Sequence, residues 1–149
     1  MKPIKVGLLG LGTVGTGVVR IVEGHQEDLQ RQTGSVIEIA KILVQDKSKH
    51  RNISVDADKL TENVWDVIGD GDIDIVVEVM GGVEATKGHI LTALGNGKHV
   101  ITANKDLMAM HGAEILAKAA ENNCDVFYEA SVAGGIPIIR ALVEGFSSD

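Results

Sequence analysis

The chain has 149 residues, 44% of them apolar and 23% charged, the balance of an ordinary globular domain with one sizeable core. A formal net charge of -7 argues against a nucleic-acid backbone or an anionic membrane as its main partner. The lone Cys124 excludes an internal disulfide and a multi-cysteine metal site.

No apolar run approaches the roughly 20 residues of a membrane span, and no signal-peptide pattern precedes the first apolar segment, so a cytoplasmic location is the default expectation. Aromatic residues make up only 3%. The core must therefore be aliphatic, which suits a parallel sheet whose strands read as Val/Ile runs under helices.

In chain order, residues 4–9 form a largely apolar strand that runs straight into a glycine cluster. Val14, Val18, Ile21 and Val22 then recur at helical spacing, predicting one helix that continues through Leu29 and stops near Gly34. Residues 37–44 are a second strand, followed by Gln45-Asp46 and the basic stretch Lys47-Ser48-Lys49-His50-Arg51. Residues 53–55 are expected as a short edge strand. Thr61 or Asn63 is expected to cap a small helix carrying Val64, Trp65 and Ile68, with Trp65 packed into the core or its margin.

Residues 73–79 are the strongest strand, and the centre Ile75-Val76-Val77 suggests a position covered on both faces. A loop at Met80-Gly81-Gly82 precedes a helix over 84–94, closed by Gly95-Asn96-Gly97. A strand at 99–102, a helix at 106–122 and a strand at 126–128 follow. Pro137 then opens a last helix, at a tolerated first-turn position. Strand and helix alternate throughout, which predicts a single α/β domain over 1–149. Its sheet is doubly wound, mostly parallel and of the Rossmann type, with about six strands and helices on both faces.

The strand-to-helix setting gives the loop Gly10-Leu11-Gly12-Thr13-Val14-Gly15 its meaning, because a bare G-x-G-x-x-G pattern is weak. A pyrophosphate needs close backbone approach and free N–H groups at a helix N-terminus. Gly10 permits the tight turn, Gly12 the approach, and Gly15 the packing of helix on strand. Asp46, after the second strand, is the candidate acceptor for an adenosine ribose 2′-hydroxyl. Lys47, Lys49 and Arg51 offer the alternative of a 2′-phosphate, so the cofactor is read as NAD(P).

Met80, Gly81 and Thr102 fall at strand ends on the same ligand edge and join the cofactor set. Lys105 follows the fifth strand. A cation at a helix start opposes the helix dipole, which favours a functional role, holding a substrate oxygen or relaying its proton. Residues 129–135 read either as carbonyls plus one carboxylate for a hard cation or as a tight strand-to-helix turn. Cys124 has no activating histidine nearby in sequence. The five histidines show no metal-ligand spacing, and His89 and His111 read as helix-surface or partly buried residues.

Together these motifs resemble the cofactor domain of the homoserine dehydrogenase family. The resemblance is carried by Gly-Leu-Gly-Thr-Val-Gly (10–15), Asp-Ile-Val-Val-Glu (74–78) with Gly81-Gly82, Thr-Ala-Asn-Lys (102–105), and Tyr-Glu-Ala-Ser-Val-Ala-Gly-Gly-Ile-Pro (128–137). It implies NAD(P)-dependent interconversion of homoserine and aspartate semialdehyde in threonine and methionine biosynthesis, with Lys105 in the active site next to the nicotinamide. It further implies a monovalent cation, typically sodium, held by the Glu129 carboxylate and the backbone carbonyls of Val132, Gly134 and Ile136.

Members of that family often carry Arg where this chain has Gln45. They are also longer, with a substrate domain that supplies a second catalytic lysine, and they usually form homodimers or larger assemblies. The expectation is thus the cofactor half of such an enzyme, inactive in isolation, ending where the substrate domain should begin. The alternatives are a non-catalytic dinucleotide-binding or redox-sensing module, or another dehydrogenase of similar architecture.

Overall fold

A computed structural model of the chain describes residues 2–51, 53–128 and 141–142. Its elements are β1 (Ile4–Leu9), α1 (Thr13–Gly24), α2 (Gln26–Thr33), β2 (Ile37–Leu43), a 3₁₀ turn (Ala57–Lys59), β3 (Leu60–Thr61), α3 (Trp65–Ile68), β4 (Ile75–Glu78), α4 (Glu84–Gly95), β5 (His99–Thr102), α5 (Lys105–Glu121) and β6 (Val126–Tyr128). The six strands form one sheet in the order β3-β2-β1-β4-β5-β6, and every pairing is parallel.

The pleat sorts the apolar residues of each strand to two faces. Val6, Leu8, Ile75, Val77 and Ile101 join Val18, Val19, Val22 and Leu29 of α1 and α2 in one cluster. Leu9, Val76 and Val100 join Val67, Ile90, Leu94, Leu107 and Ile115 of α3, α4 and α5 in the other. All four residues of β4 are buried, as expected for a strand covered on both sides. Burying each such aliphatic side chain contributes about 1.5–3 kcal/mol.

The strand ends are flush. Thr61 is in register with Leu43, Leu43 with Leu9, Leu9 with Glu78, Glu78 with Thr102, and Thr102 with Tyr128, and each is the last residue of its strand. Three of these residues, Thr61, Glu78 and Thr102, are buried polar groups.

Several local expectations are corrected. The first helix is two helices, because His25 leaves helical geometry at φ -121°. Gln26 then donates its amide to Val22 O at 2.8 Å and Ile37 O at 2.9 Å, and these bonds fold α2 back over the start of β2. The helix stop at Gly34 is present, in the left-handed conformation at φ 78°. Residues 53–55 are not a strand. Ile53 and Val55 pack against the core, but the ladder to β2 belongs to Leu60 and Thr61. Trp65 is 59% exposed instead of packed inside, since the one-turn helix α3 turns Val67 and Ile68 inward.

Helix α5 is kinked at His111, where φ is -132°. His111 Nε2 lies 3.2 Å from Glu84 Oε1 at the start of α4. The last helix expected from Pro137 lies outside the described residues, apart from Ala141 and Leu142, which are buried in the first cluster.

Gly15 fixes how closely α1 meets the sheet. A Cβ there would stand 2.4 Å from Gly10 O, a backbone atom with little room to yield. Gly15→Ala is expected to lower stability by about 1–3 kcal/mol through this overlap, read as a fall in the urea midpoint at unchanged slope.

Candidate functional site

The chain leaves β1 toward β2 and β3 and returns to β4 on the other side of β1. The strand order therefore reverses between β1 and β4, and ligands of such sheets bind outside the strands' carboxyl ends at this point. The glycine loop and the loop after β4 meet there.

The three glycines answer three separate demands. Gly10 has φ +112°, and a Cβ on it would lie 3.2 Å from Met80 Cα and Met80 N, so this turn needs glycine for both conformation and space. Gly15 meets the Gly10 carbonyl, as above. Gly12 is the open one: among the described residues a Cβ there would have no neighbour within 4 Å. Packing against the described residues does not require glycine at 12.

Gly12 is also the N-cap of α1, makes no side-chain capping bond, and is followed by a first turn without acidic residues. Among the described residues no side chain opposes the helix's first N–H groups, which present a positive dipole end at an open surface. This arrangement fits the pyrophosphate of a dinucleotide. Leu11 and Val14 are half-buried, while Thr13 is exposed beside the opening.

The loop after β4 is held from beneath. Glu78 is 1% exposed. Its Oε2 accepts from Met80 N and Gly81 N, each at 2.9 Å. Its Oε1 accepts from the Thr102 hydroxyl at 2.6 Å. Thr102 Oγ1 in turn accepts from Asn104 N at 3.0 Å. The Asn104 side chain caps α5 by accepting from Leu107 N at 3.1 Å, and it donates to Gly82 O at 2.6 Å. Thr86, 1% exposed, donates to Gly81 O at 2.5 Å.

Loop 80–82 thus has two of its N–H groups and two of its carbonyls fixed by the chain itself. Lys105 follows at the first position of α5, with its side chain exposed. Thr102 joins this group through a hydroxyl wholly engaged within the protein.

Asp46 lies three residues beyond β2, exposed. Its Oδ1 accepts from Ser48 Oγ at 2.7 Å and Ser48 N at 2.9 Å. The Ser48 hydroxyl, then the Ser48 amide, hold this carboxyl below the usual carboxylate range, with smaller help from Arg51 and Lys49. The contact is fully present above the ordinary carboxylate range and is lost as pH falls through the lowered folded value. Arg51 folds over the same turn and donates to the carbonyls of Asp46 and Lys49. The basic stretch is therefore partly internalised as turn structure.

Glu129, Val132, Gly134 and Ile136, the expected cation ligands, lie outside the described residues. Among the described residues no cluster of three or more His, Cys, Asp or Glu is placed to hold a metal, and no helix is long and apolar enough to cross a membrane. Cys124 is buried, and burial pushes its thiol up, away from thiolate chemistry.

Concave surfaces of about 390 Å³ and 460 Å³ lie elsewhere. The first is lined by Pro3, Asp74, Asn96 and Lys98, and the second by Glu23, Gln26, Ile37 and Lys59. The strand-end site is recognised by its donors and its flush loops instead of by enclosure.

Sequence reasoning assigned no role to Glu78, Asn104 or Thr86. The available signal was a carboxylate closing the most apolar strand, immediately before two glycines. Asn104→Ala removes both the α5 cap and the tie to Gly82. It is expected to cost about 1–2 kcal/mol, measured by urea unfolding.

Residues 10–129 match the family described as "Homoserine dehydrogenase, NAD binding domain". The chain is 58% identical over 149 residues to homoserine dehydrogenase of Bacillus subtilis (strain 168), covering 100% of this chain and 34% of the relative. It is 45% identical over 149 residues to that of Pseudomonas aeruginosa, again 100% and 34%. Among solved structures, a homoserine dehydrogenase from Thiobacillus denitrificans is similar with a TM-score of 0.85 at 47% identity, covering 97% of this chain and 33% of that one. The S. aureus homoserine dehydrogenase at pH 7.0 is similar with a TM-score of 0.82 at 48% identity, covering 87% and 33%. The chain spans about a third of the length of these relatives.

Proposed function

Because this chain belongs to the homoserine dehydrogenase family through its NAD-binding domain, we propose that it holds the nicotinamide dinucleotide of an enzyme that interconverts homoserine and aspartate semialdehyde. One observation carries the binding reading: among the described residues nothing lies within 4 Å of a Cβ added at Gly12, at a helix N-terminus that no described side chain caps. Space left free beside unopposed N–H groups suits a phosphate brought against the backbone.

In this reading the first turn of α1 grips the pyrophosphate, with Leu11, Thr13 and Val14 lining its approach. Asp46 accepts from the adenosine ribose. Met80 and Gly81, held by Glu78, and Thr102 back the nicotinamide end. When bound, the dinucleotide supplies or accepts the hydride. Lys105 donates a hydrogen bond to the substrate oxygen and passes a proton to or from it, the role that best accounts for an exposed cation at this helix start. The proposal extends to a sodium ion held by Glu129 with the carbonyls of Val132, Gly134 and Ile136, supported by the family resemblance.

Two measurements test these parts separately. Gly12→Ala adds a methyl group only to the open side. It is expected to leave the melting temperature nearly unchanged and to weaken NADH binding by about tenfold or more, the order of one displaced phosphate contact. Unchanged affinity in a fluorescence titration would refute the phosphate assignment. Lys105→Ala can be placed in a full-length homoserine dehydrogenase carrying this chain as its NAD-binding domain. There it is expected to lower kcat by about 100-fold or more with dinucleotide affinity retained. Near-normal turnover would remove Lys105 from the chemistry.

A further inference from the structure

Glu78 is a buried carboxylate whose partners among the described residues are all neutral. Met80 N–H and Gly81 N–H point at one oxygen, and the Thr102 hydroxyl points at the other. Three donated hydrogen bonds suit the ionised form, and a proton on the one remaining lone pair would have no described acceptor. Among the described ion pairs none involves Glu78. Its negative charge is therefore spread over neutral donors in a dry setting, where a charge acts over a longer range than at the surface.

Glu78 also has a central place. It ends β4 at the reversal of strand order. Met80, which it holds, abuts Gly10 of the phosphate loop. Thr102, which it also holds, leads through Asn104 to Lys105. Lys105 is exposed, so its opposing charge is screened by solvent in a way that Glu78's is not.

The two redox forms of the cofactor differ in the charge of the nicotinamide ring, which is cationic when oxidised and neutral when reduced. A fixed buried anion behind the loop at the nicotinamide end separates them by electrostatics alone. We infer that Glu78 is a specificity-determining residue for redox state, one that biases the site toward the oxidised dinucleotide. The inference rests on the dinucleotide-binding reading above and gives Glu78 a part in it beyond bracing the loop.

Glu78→Gln keeps the side chain's shape. The amide oxygen can still accept from Met80 and Gly81, while the amide nitrogen faces Thr102 Oγ1 and reverses that one hydrogen bond. The variant therefore loses the charge together with the acceptor of the Thr102 hydroxyl. Titration of the chain with NAD+ and with NADH is expected to show the ratio of their dissociation constants, Kd(NAD+)/Kd(NADH), rising about fivefold in this variant, an order set by one charge at several ångströms in a partly dry site. Thr102→Val is the companion variant, since it removes the bracing hydroxyl and leaves the charge. It is expected to weaken both forms alike and to keep the ratio within about twofold, consistent with a neutral contact.

Equal weakening of both forms by Glu78→Gln would reduce Glu78 to a brace and overturn the inference. A ratio shift in Thr102→Val as large as the fivefold expected of Glu78→Gln would do the same, and this second result decides the matter even if Glu78→Gln does not fold. Failure of the unsubstituted chain to bind either form would instead overturn the binding reading itself.

Discussion

The contact between Gly15 and the Gly10 carbonyl is the constraint on which the rest of the site depends. A methyl group at 15 would fall 2.4 Å from that oxygen, so α1 can begin this close to the end of β1 only because nothing projects between them. The helix N-terminus consequently opens at the level of the strand ends. Gly10 makes the matching contact on the other side, against Met80. Two missing side chains thus bring three backbone segments together at the point where the sheet reverses its strand order, and the uncrowded Gly12 lies beside them.

Much of this was legible in the sequence because its signals are strongly periodic. β1, β5 and β6 coincide with the expected segments, while the strand expected over 73–79 is shorter, Ile75–Glu78. Alternation of apolar side chains along each strand then places helices on both faces. The misreadings occur where hydrogen bonding or the length of an element, not side-chain apolarity, decides. Ile53 and Val55 are apolar enough for a strand but pack without pairing. The periodic pattern running from Val14 to Leu29 hides a break that Gln26 makes with its amide. Trp65 is large and apolar, yet a one-turn helix leaves it outside.

The candidate site was proposed in outline from sequence, without its supports. Glycines, the lysine after β5 and the acid after β2 announce themselves by type and position. The network beneath them does not, because its members look like ordinary strand ends and caps until register brings Glu78 beside Thr102. That adjacency spans 24 residues of sequence. Its effect is to join two loops that carry different parts of the proposed site, so that neither can move without disturbing the other's hydrogen bonds. Placing the polar groups Glu78 and Thr102 at the margin of two apolar cores also leaves no buried side-chain polar atom unpaired among the described residues, consistent with the cost of burying such groups alone.

The flush strand ends have a metric consequence. Neighbouring strands stand about 4.8 Å apart, and the six last residues share one row, so the sheet acts as a ruler whose marks are its loops. The segment carrying Asp46 departs one mark from the glycine loop on one side. The Met80 loop departs one mark away on the other, and Lys105's loop two. From Asp46's strand to Lys105's strand is three intervals, about 14 Å. Side-chain size adjusts reach within an interval but cannot change the interval. A ligand spanning these groups must therefore lie across the strands, and its length is selected by backbone hydrogen bonding before any side chain touches it.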